Sequence, residues 1–395
     1  MKRLKNALTK IKAKDLVAPF VFLLLLLPSV FLRIKNNLKK RELWLVAEEG
    51  DARDNGYYFY KYIREKHPDN FCFYAIKPES VGYKKVVDLG NVIKFGGLRH
   101  WLYYMSADLN ISSQKSGNPC PIFWYFIHVV LGLYRNRVFL QHGVIKDDLK
   151  FTYQNKTKFK YFICGAKREY DYILKNFGYI RDNLILSGLP RWDTLKDSSR
   201  NNKNVLIMPT WRDWLGGDKN FLFETKDIEK TDFFKCWNDF LSDKKLIEFI
   251  EDNGITIYFY PHINMQKFLE FFRPLSKNIK ILSKEHDIQK YIEKSNLMIT
   301  DYSSAVFDFA LLRKPVLYYQ FDLKEYREKQ YPEGYFDYEK DGFGKVVKSK
   351  DALVECIVDC ANHNFKNESS YLKREDKFFM KNDRRNCERI YEAIK

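Results

Sequence analysis

The stretch Ile299–Tyr319, ITDYSSAVFDFALLRKPVLYY, runs from a strand end through a polar turn into a helical pattern and a further apolar run. The apolar residues Leu297–Thr300 predict a buried strand that ends where this turn begins. Asp301, Ser303 and Ser304 lie at the junction, where acids and hydroxyls cap the free N–H groups of a first helical turn. The same N–H groups and the helix dipole attract phosphate. The stretch therefore predicts a strand–turn–helix unit with a helix cap, an anion site, or both.

Short apolar runs alternate with helical patterns from Leu43 onward, which indicates α/β units with parallel sheets. The amphipathic segments Tyr57–Lys66 and Lys167–Phe177 are predicted helices of the first half. The predicted strands are Leu43–Ala47, Phe71–Ile76, Asp108–Ser112, Val138–Gln141, Phe159–Cys164 and Asn183–Ser187, and then Val205–Met208, Ile255–Tyr260, Ile279–Leu282, Leu297–Thr300 and Val316–Tyr319.

The polar loop Asp197–Asn204 separates two such series and is the predicted domain boundary. We expect a Rossmann-like domain over residues 43–196 and a second one over 204–364, both doubly wound and facing one cleft. Residues 365–395 form a helical segment whose last helix, near Asn382–Ile394, is expected to pack back on the first domain.

The N-terminal residues 1–42 predict a basic, hydrophobic membrane anchor. Leu16–Leu32, LVAPFVFLLLLLPSVFL, is apolar and is flanked by lysines and arginines on both sides. It is shorter than the roughly 20 residues that a spanning helix needs and contains Pro19 and Pro28. We therefore expect a hairpin or an in-plane anchor on the cytoplasmic face of an anionic membrane, with a short spanning helix as the alternative.

The charge distribution argues against a nucleic-acid partner. The net charge is +17, but residues 1–50 alone hold eleven Lys and Arg against four acids. The remaining positive charge is spread over the rest of the chain, whereas a nucleic-acid binder usually concentrates it on one surface. The seven cysteines form neither a Cys-x-x-Cys pair nor a set with metal-ligand spacing, and no Asp-x-Asp occurs. The sequence thus predicts a reducing compartment, no metal site and no cofactor.

Polar residues follow several predicted strands, at the edge where ligands bind in open parallel sheets. His142 follows one strand of the first half and His262 one of the second. Thr210 and Arg212 follow the strand Val205–Met208, and Asp301 with its two serines follows Leu297–Thr300. This convergence predicts a catalytic site rather than isolated structural side chains.

The same residues carry a resemblance to a known family. The chain resembles the CDP-glycerol glycerophosphotransferases, the teichoic acid primases, polymerases and related capsule enzymes, from about Leu43 to Phe343. The resemblance implies a GT-B fold at the cytoplasmic membrane face, with an acceptor domain and a nucleotide-donor domain. It also implies transfer of glycerol phosphate from CDP-glycerol to a hydroxyl of a lipid-linked acceptor, with release of CMP. The segments that carry it are EEGDARDNGYYFYKYI, QHG, GLPRWD, PTWRDW, YPHINM, ITDYSSAVFDFALLRKPVLYY and FDLKEY.

Phosphoryl transfer needs an activated hydroxyl and a neutralised phosphate, which suits His142 as general base and His262 as a donor to the departing phosphate. Each histidine could instead only hold its own loop. The diphosphate is assigned to Ser303, Ser304, Arg212 and Thr210, the nucleotide or ribose to Asp308 and Asp301, and the inter-domain or acceptor side to Arg191, Asp193, Asn55 and Gln141.

Alternatives remain open for several of these residues. Arg212 could form a surface pair with Asp213, Asp308 could pack against Arg313, and Asn55 could be only a helix cap. Gln141 stands where better-known family members have Trp before His-Gly, which leaves CDP-ribitol as donor or a capsular sugar as acceptor possible. A GT-B glycosyltransferase using a nucleotide sugar, or a non-catalytic scaffold of an envelope-polymer assembly complex, are the other functions considered.

Overall fold

The protein, represented by a computed structural model, is described for residues 13–48, 50, 52–215, 225–379 and 382–395. The basic residues before Ala13, on which part of the anchor prediction rests, lie outside this range. The chain divides into two compact units. The first comprises residues up to His142, Lys150–Thr194 and Asp383–Lys395, and the second comprises Gly143–Leu149 and Leu195–Asn382.

The described residues of the first unit form a seven-stranded parallel sheet in the order β3-β2-β1-β4-β5-β6-β7. Apolar runs bounded by polar turns form these strands, and β1 is buried at every position because helices cover both faces. The strands are β1 (Leu43–Ala47), β2 (Phe71–Ile76), β3 (Val92–Lys94), β4 (Leu109–Ser112), β5 (Arg137–Phe139), β6 (Tyr161–Cys164) and β7 (Leu184–Leu186).

Two apolar clusters cover the faces of this sheet. On one side, Phe59, Ile63 and Ile390 pack against the strands, and on the other Trp101 and Trp124 do so. The helices are α1 (Ala13–Leu38), α2 (Asn55–Lys66), α3 (Tyr83–Val87), α4 (Leu98–Ser106), α5 (Pro121–Tyr125, continued by a π-helical turn over Phe126–Val130), α6 (Gln154–Thr157), α7 (Lys167–Asn176) and, at the end of the chain, α16 (Asn386–Ile394).

The second unit repeats the plan with a six-stranded parallel sheet, in the order β10-β9-β8-β11-β12-β13, among its described residues. Its strands are β8 (Asn204–Met208), β9 (Thr256–Phe259), β10 (Ile279–Ile281), β11 (Leu297–Thr300), β12 (Val316–Tyr319) and β13 (Gly344–Val347). Its helices are α8 (Asp232–Leu241), α9 (Lys244–Asp252), α10 (Ile288–Lys294), α11 (Val306–Leu311), α12 (Leu323–Lys329), α13 (Tyr338–Asp341), α14 (Lys350–Asn362) and α15 (Ser369–Phe378). Shorter 3₁₀ turns span Lys150–Thr152, Arg181–Asn183, Pro190–Asp193, Thr225–Lys230 and Ile263–Phe271.

The division of the chain differs from the expected boundaries in two places. Gly143–Leu149 belongs to the second unit, where Asp147 pairs with Arg327 at 2.6 Å and the Tyr335 N–H donates to the Lys146 carbonyl at 3.2 Å. At the other end, α15 lies in the second unit while α16 lies in the first. The last helix thus lies with the first unit, where it was expected, whereas the earlier part of the segment 365–395 lies with the second.

The N-terminal apolar segment is one continuous helix, α1, of 26 residues. The expected hairpin is wrong, because Pro19 and Pro28 lie inside this helix without interrupting it. One face of α1 packs on the first unit through Phe22, Leu25 and Leu26. The opposite face is exposed, and the helix is long and apolar enough to cross a membrane.

Candidate active site

His142 lies at the carboxyl edge of the first sheet, three residues beyond the end of β5. The preceding residue, Gln141, adopts a left-handed conformation with φ of +64°, which side chains other than glycine rarely adopt. Gln141 is fully buried, and its side-chain amide donates to the Ile163 carbonyl. This turn leaves the His142 side chain 77% exposed.

Asp54 binds the His142 ring directly, with its Oδ2 against Nδ1. It is the N-cap of α2 and therefore follows β1 at the same sheet edge. Arg191 donates from Nη1 to Asp54 Oδ1 at 3.3 Å and to the His142 carbonyl at 2.8 Å. With Nδ1–H donated to Asp54, a neutral imidazole keeps Nε2 as a proton acceptor.

The charges of this group set its protonation. The Asp54 carboxylate raises the pKa of His142. Burial alone would raise the pKa of Asp54, but the charges of His142 and Arg191 outweigh it and lower that pKa. The arrangement is that of a general base held in orientation by an acid. The sequence identified His142 but assigned no role to Asp54, although its place after a strand and before a helix was the available signal.

Asn55 joins three segments of the first unit. Its Nδ2 donates to the Gln141 carbonyl at 2.8 Å, and its Oδ1 accepts the Arg191 N–H at 3.1 Å. The alternative that Asn55 is only a helix cap is wrong, because Asp54 is the cap. Asn55 instead fixes the turn before His142 relative to the start of α2.

Asp193 binds the start of α16. It accepts the backbone N–H groups of Asn386 and Cys387, each at 2.8 Å. Asp193 and Arg191 both form these contacts inside the first unit. The structure gives these two residues contacts within the first unit, and their predicted inter-domain or acceptor-side role stays a prediction.

His262 follows β9 in the second unit and begins a 3₁₀ turn. Its Nδ1 accepts the Asn264 N–H at 3.2 Å, and its ring stacks on Trp211 with centroids 6.0 Å apart. Because Nδ1 accepts, a neutral ring carries its proton on Nε2 and presents a donor there. That tautomer is opposite to the one that Asp54 imposes on His142.

Arg212 is fully buried and forms ion pairs with Asp301 at 2.8 Å and Asp322 at 2.7 Å. Its Nη1 donates to the Thr210 carbonyl at 2.7 Å. The alternative of a surface Arg212–Asp213 pair is wrong, and the guanidinium is not exposed to a phosphate. Thr210 is buried too, and its Oγ1 has no hydrogen-bond partner within the described residues.

Side chains of the turn after β11 accept backbone N–H groups in and beside the turn. Asp301 is fully buried and accepts the N–H groups of Thr210 at 2.8 Å and Tyr302 at 2.5 Å. Ser303 Oγ accepts the Ala305 N–H at 3.2 Å, and Ser303 and Ser304 are half-buried. Helix α11 begins after Ala305, which makes no side-chain cap hydrogen bond, and the first N–H groups of α11 donate to backbone carbonyls of the turn. The predicted side-chain cap is therefore wrong, whereas phosphate binding by the two serines stays a prediction.

Asp308 lies on α11 and is buried, so that a ribose would have to reach it through the surrounding side chains. Arg313, the alternative partner, forms an ion pair with Asp376 at 2.5 Å. Within the described ranges, no three His, Cys, Asp or Glu side chains form a group that could hold a metal ion. Metal independence stays a prediction.

Two parallel α/β units with polar residues at their sheet edges define a GT-B-like fold. A solved structure of the wall teichoic acid polymerase TagF matches it with a TM-score of 0.65, covering 93% of this chain and 96% of that one at 17% identity. At this identity the match supports the fold alone.

Residues 29–395 match the family described as CDP-Glycerol:Poly(glycerophosphate) glycerophosphotransferase, and the chain belongs to this family. It is 33% identical over 366 residues to the minor teichoic acid biosynthesis protein GgaB of Bacillus subtilis. The aligned region covers 90% of this chain and 40% of that protein. The teichoic acid poly(glycerol phosphate) polymerase of the same organism is 25% identical over 365 residues, with 85% and 46% covered. The chain thus spans less than half of these two relatives.

Proposed function

We propose that the protein transfers glycerol phosphate from CDP-glycerol to a hydroxyl of an envelope polymer acceptor and releases CMP. The observation that carries this proposal is the Asp54–His142 pair, an exposed imidazole with an oriented Nε2 at a sheet edge. Membership of the glycerophosphotransferase family supports the donor.

In the proposed reaction, His142 Nε2 takes the proton of the acceptor hydroxyl as its oxygen attacks the phosphorus that bears glycerol. The bond from that phosphorus to the CMP oxygen breaks, and CMP leaves with the bonding electrons. His262 donates from Nε2 to the phosphate oxygens as negative charge develops, which lowers the barrier. The tautomers that Asp54 and Asn264 favour support both proposed roles.

The test measures CMP release from CDP-glycerol by the full chain with a lipid-linked polymer acceptor. We expect His142→Ala to lower the rate by about 10²- to 10⁴-fold, the usual contribution of a general base, and His262→Ala by about 10²-fold. His363→Ala is the matched control, because His363 is also exposed and also contacts an acid, Asp359 at 3.3 Å, but it is the C-cap of α14 and has no place in the proposed site.

Acceptor-dependent CMP release that survives His142→Ala would contradict the assigned base. Consumption of CDP-ribitol or a nucleotide sugar, with no consumption of CDP-glycerol, would show that the proposed donor is wrong. CDP-ribitol is included because ribitol-phosphate polymerases are among the relatives. Turnover of no donor would favour the scaffold. We propose that catalysis needs no metal, so that a chelator leaves the rate unchanged.

We propose that the protein acts on the cytoplasmic face of an anionic membrane. The exposed face of α1 carries Phe20, Leu24, Leu27 and Phe31, and basic side chains follow it from Arg33 to Arg41. Because its other face packs on the first unit, we propose that α1 lies in the membrane plane.

A second exposed apolar segment adjoins α1, since the Phe22 ring of α1 packs at a tilt against the Phe123 ring of α5, with centroids 5.4 Å apart. Phe126, Val130 and Leu131 there are about half exposed or more. Replacing these three by serine is expected to weaken binding to phosphatidylglycerol vesicles by roughly tenfold, measured by co-sedimentation, because apolar area no longer enters the lipid.

The matched control replaces three exposed apolar residues elsewhere, Val81, Ile180 and Leu275, by serine. This variant should bind vesicles as the unsubstituted protein does. Equal binding by both triple variants would show that the segment after α5 does not touch the membrane.

A further inference from the structure

A carboxylate with no assigned role lies beneath the start of α2. Glu48 follows β1 directly and is fully buried. Its Oε2 accepts the Tyr74 hydroxyl at 2.8 Å, and its Oε1 accepts the backbone N–H groups of Gly56 at 3.2 Å and Ser113 at 3.3 Å. The Ser113 hydroxyl contacts Oε1 as well. The hydrogen bonds from these donors offset the cost of burying the carboxylate and hold it in one position at the sheet edge.

The sequence of α2 accommodates this acid. Gly56 is the second residue of the helix, and a Cβ on it would collide with the Glu48 carboxylate. The glycine therefore lets the carboxylate reach the N–H groups of the first helical turn, where negative charge is stabilised. Asp54, which orients His142, caps this same turn.

We propose that Glu48 is a positioning residue for the Asp54–His142 pair: it fixes the turn that carries Asp54, and its charge acts on both members of the pair. The inference rests on the proposed function for its rate measurements, although the structure of the pair stands without it. Glu48 lies in the segment EEGDARDNGYYFYKYI, which the family resemblance singled out without giving this residue a role.

The charge of Glu48 varies near neutral pH. Burial raises its pKa to about 7, with a further contribution from the Asp54 carboxylate, while the bonds from Ser113 and Tyr74 act against the rise. The ionised Glu48 in turn raises the pKa of His142. The charged and titratable groups that face this centre are Asp54, His142, Tyr74 and, through Asp54, Arg191.

Glu48→Gln tests the proposal because glutamine keeps the shape and can still accept from Gly56 and Ser113. Without the negative charge, the protonated form of His142 is less favoured. We expect the acid limb of the pH–rate profile to move to lower pH by roughly half a unit, a typical effect of one charge across a partly buried site. The His142 pKa, measured by NMR with ¹³C-labelled histidine and assigned with His142→Ala, should fall by the same amount.

Two further variants separate this effect from a loss of packing. Tyr74→Phe removes one bond to the carboxylate, which favours the neutral acid, so a smaller shift in the same direction is expected. Glu375→Gln is the control, because Glu375 is also buried, also has a pKa raised to about 7 by burial, and accepts from Asn367 in the second unit at 2.9 Å. It should leave the acid limb and the His142 pKa unchanged.

An unshifted His142 pKa in folded Glu48→Gln protein would overturn the inference, as would an equal shift in Glu375→Gln. The NMR titration needs no substrate, so its result is independent of the reaction. If the unsubstituted protein releases no CMP while the His142 pKa still shifts in Glu48→Gln, the proposed function fails and the coupling between Glu48 and His142 stands.

Discussion

Asp54→Asn is expected to lower the rate of CMP release by about 10²- to 10⁴-fold, comparable to the loss of the base itself. Asparagine can present its amide N–H₂ to His142 Nδ1, which would then accept, and the ring proton would move to Nε2. In that tautomer Nε2 no longer accepts the proton of the acceptor hydroxyl. The geometry persists while the chemistry is lost.

The remaining activity of Asp54→Asn should also change its pH dependence. The Asp54 charge raises the pKa of His142, and the base works only when unprotonated. Removing the charge lowers that pKa, so the acid limb of the profile moves to lower pH. A pH–rate series on both proteins measures the shift and the fall in rate together.

Asp243→Asn is the matched control for this substitution. Asp243 is also the N-cap of a helix, α9, accepting the Leu246 N–H at 3.0 Å, and its pKa is also lowered, despite burial, by bonds from Lys350 and backbone N–H groups. Asp243→Asn should destabilise α9 without moving the acid limb of the pH–rate profile. An Asp54→Asn protein with unchanged rate and profile would remove Asp54 from the mechanism.

Arg212→Met is expected to destabilise the second unit by about 3 to 5 kcal/mol, because it leaves Asp301 and Asp322 buried without their cation. Burial alone would lower the pKa of Arg212, but the two carboxylates outweigh it and raise that pKa. The guanidinium also lies over the rings of Tyr302 and Tyr326, at 5.0 and 5.3 Å from their centroids. Its removal thus breaks one network at several points.

Hydrogen exchange of the amides of β8 and β11 under increasing urea measures this loss, since a two-unit chain need not unfold in one step. Arg313→Met is the control, because the Arg313–Asp376 pair is about half exposed and should contribute at most about 1 kcal/mol. Unchanged protection in Arg212→Met, together with weaker donor binding, would instead favour the phosphate-binding role predicted from the sequence.

The strands predicted best are those whose apolar runs are uninterrupted. β1, β2, β11 and β12 were predicted at their observed bounds, and the GT-B-like fold is confirmed. The edge strands β3 and β13 were missed, because each holds only two adjacent apolar residues beside a lysine, so neither stands out from a loop.

The side-chain partners were harder to predict than the strands. His142 and His262 are both found just beyond strand ends, in agreement with their placement from the sequence. The partners of Arg212, Asp193 and Asn55 were missed, because each bonds to residues far away in the chain, such as Asp322 and Asn386. The local sequence predicts where turns form, but these hydrogen bonds join turns that are distant in the chain and come together only in the folded protein.

The return of α16 to the first unit affects how the protein folds during synthesis. Cys387, which bonds to Asp193, and Ile390, which belongs to the core of the first unit, are synthesised only after the whole second unit. The core of the first unit, whose sheet carries His142, is therefore completed only after the second unit has been synthesised. Domains usually fold in order from the N-terminus, so this order is reversed here. A chain that lacked the residues from Asp383 onward would expose the α2 side of the first sheet, which α16 covers in the folded protein.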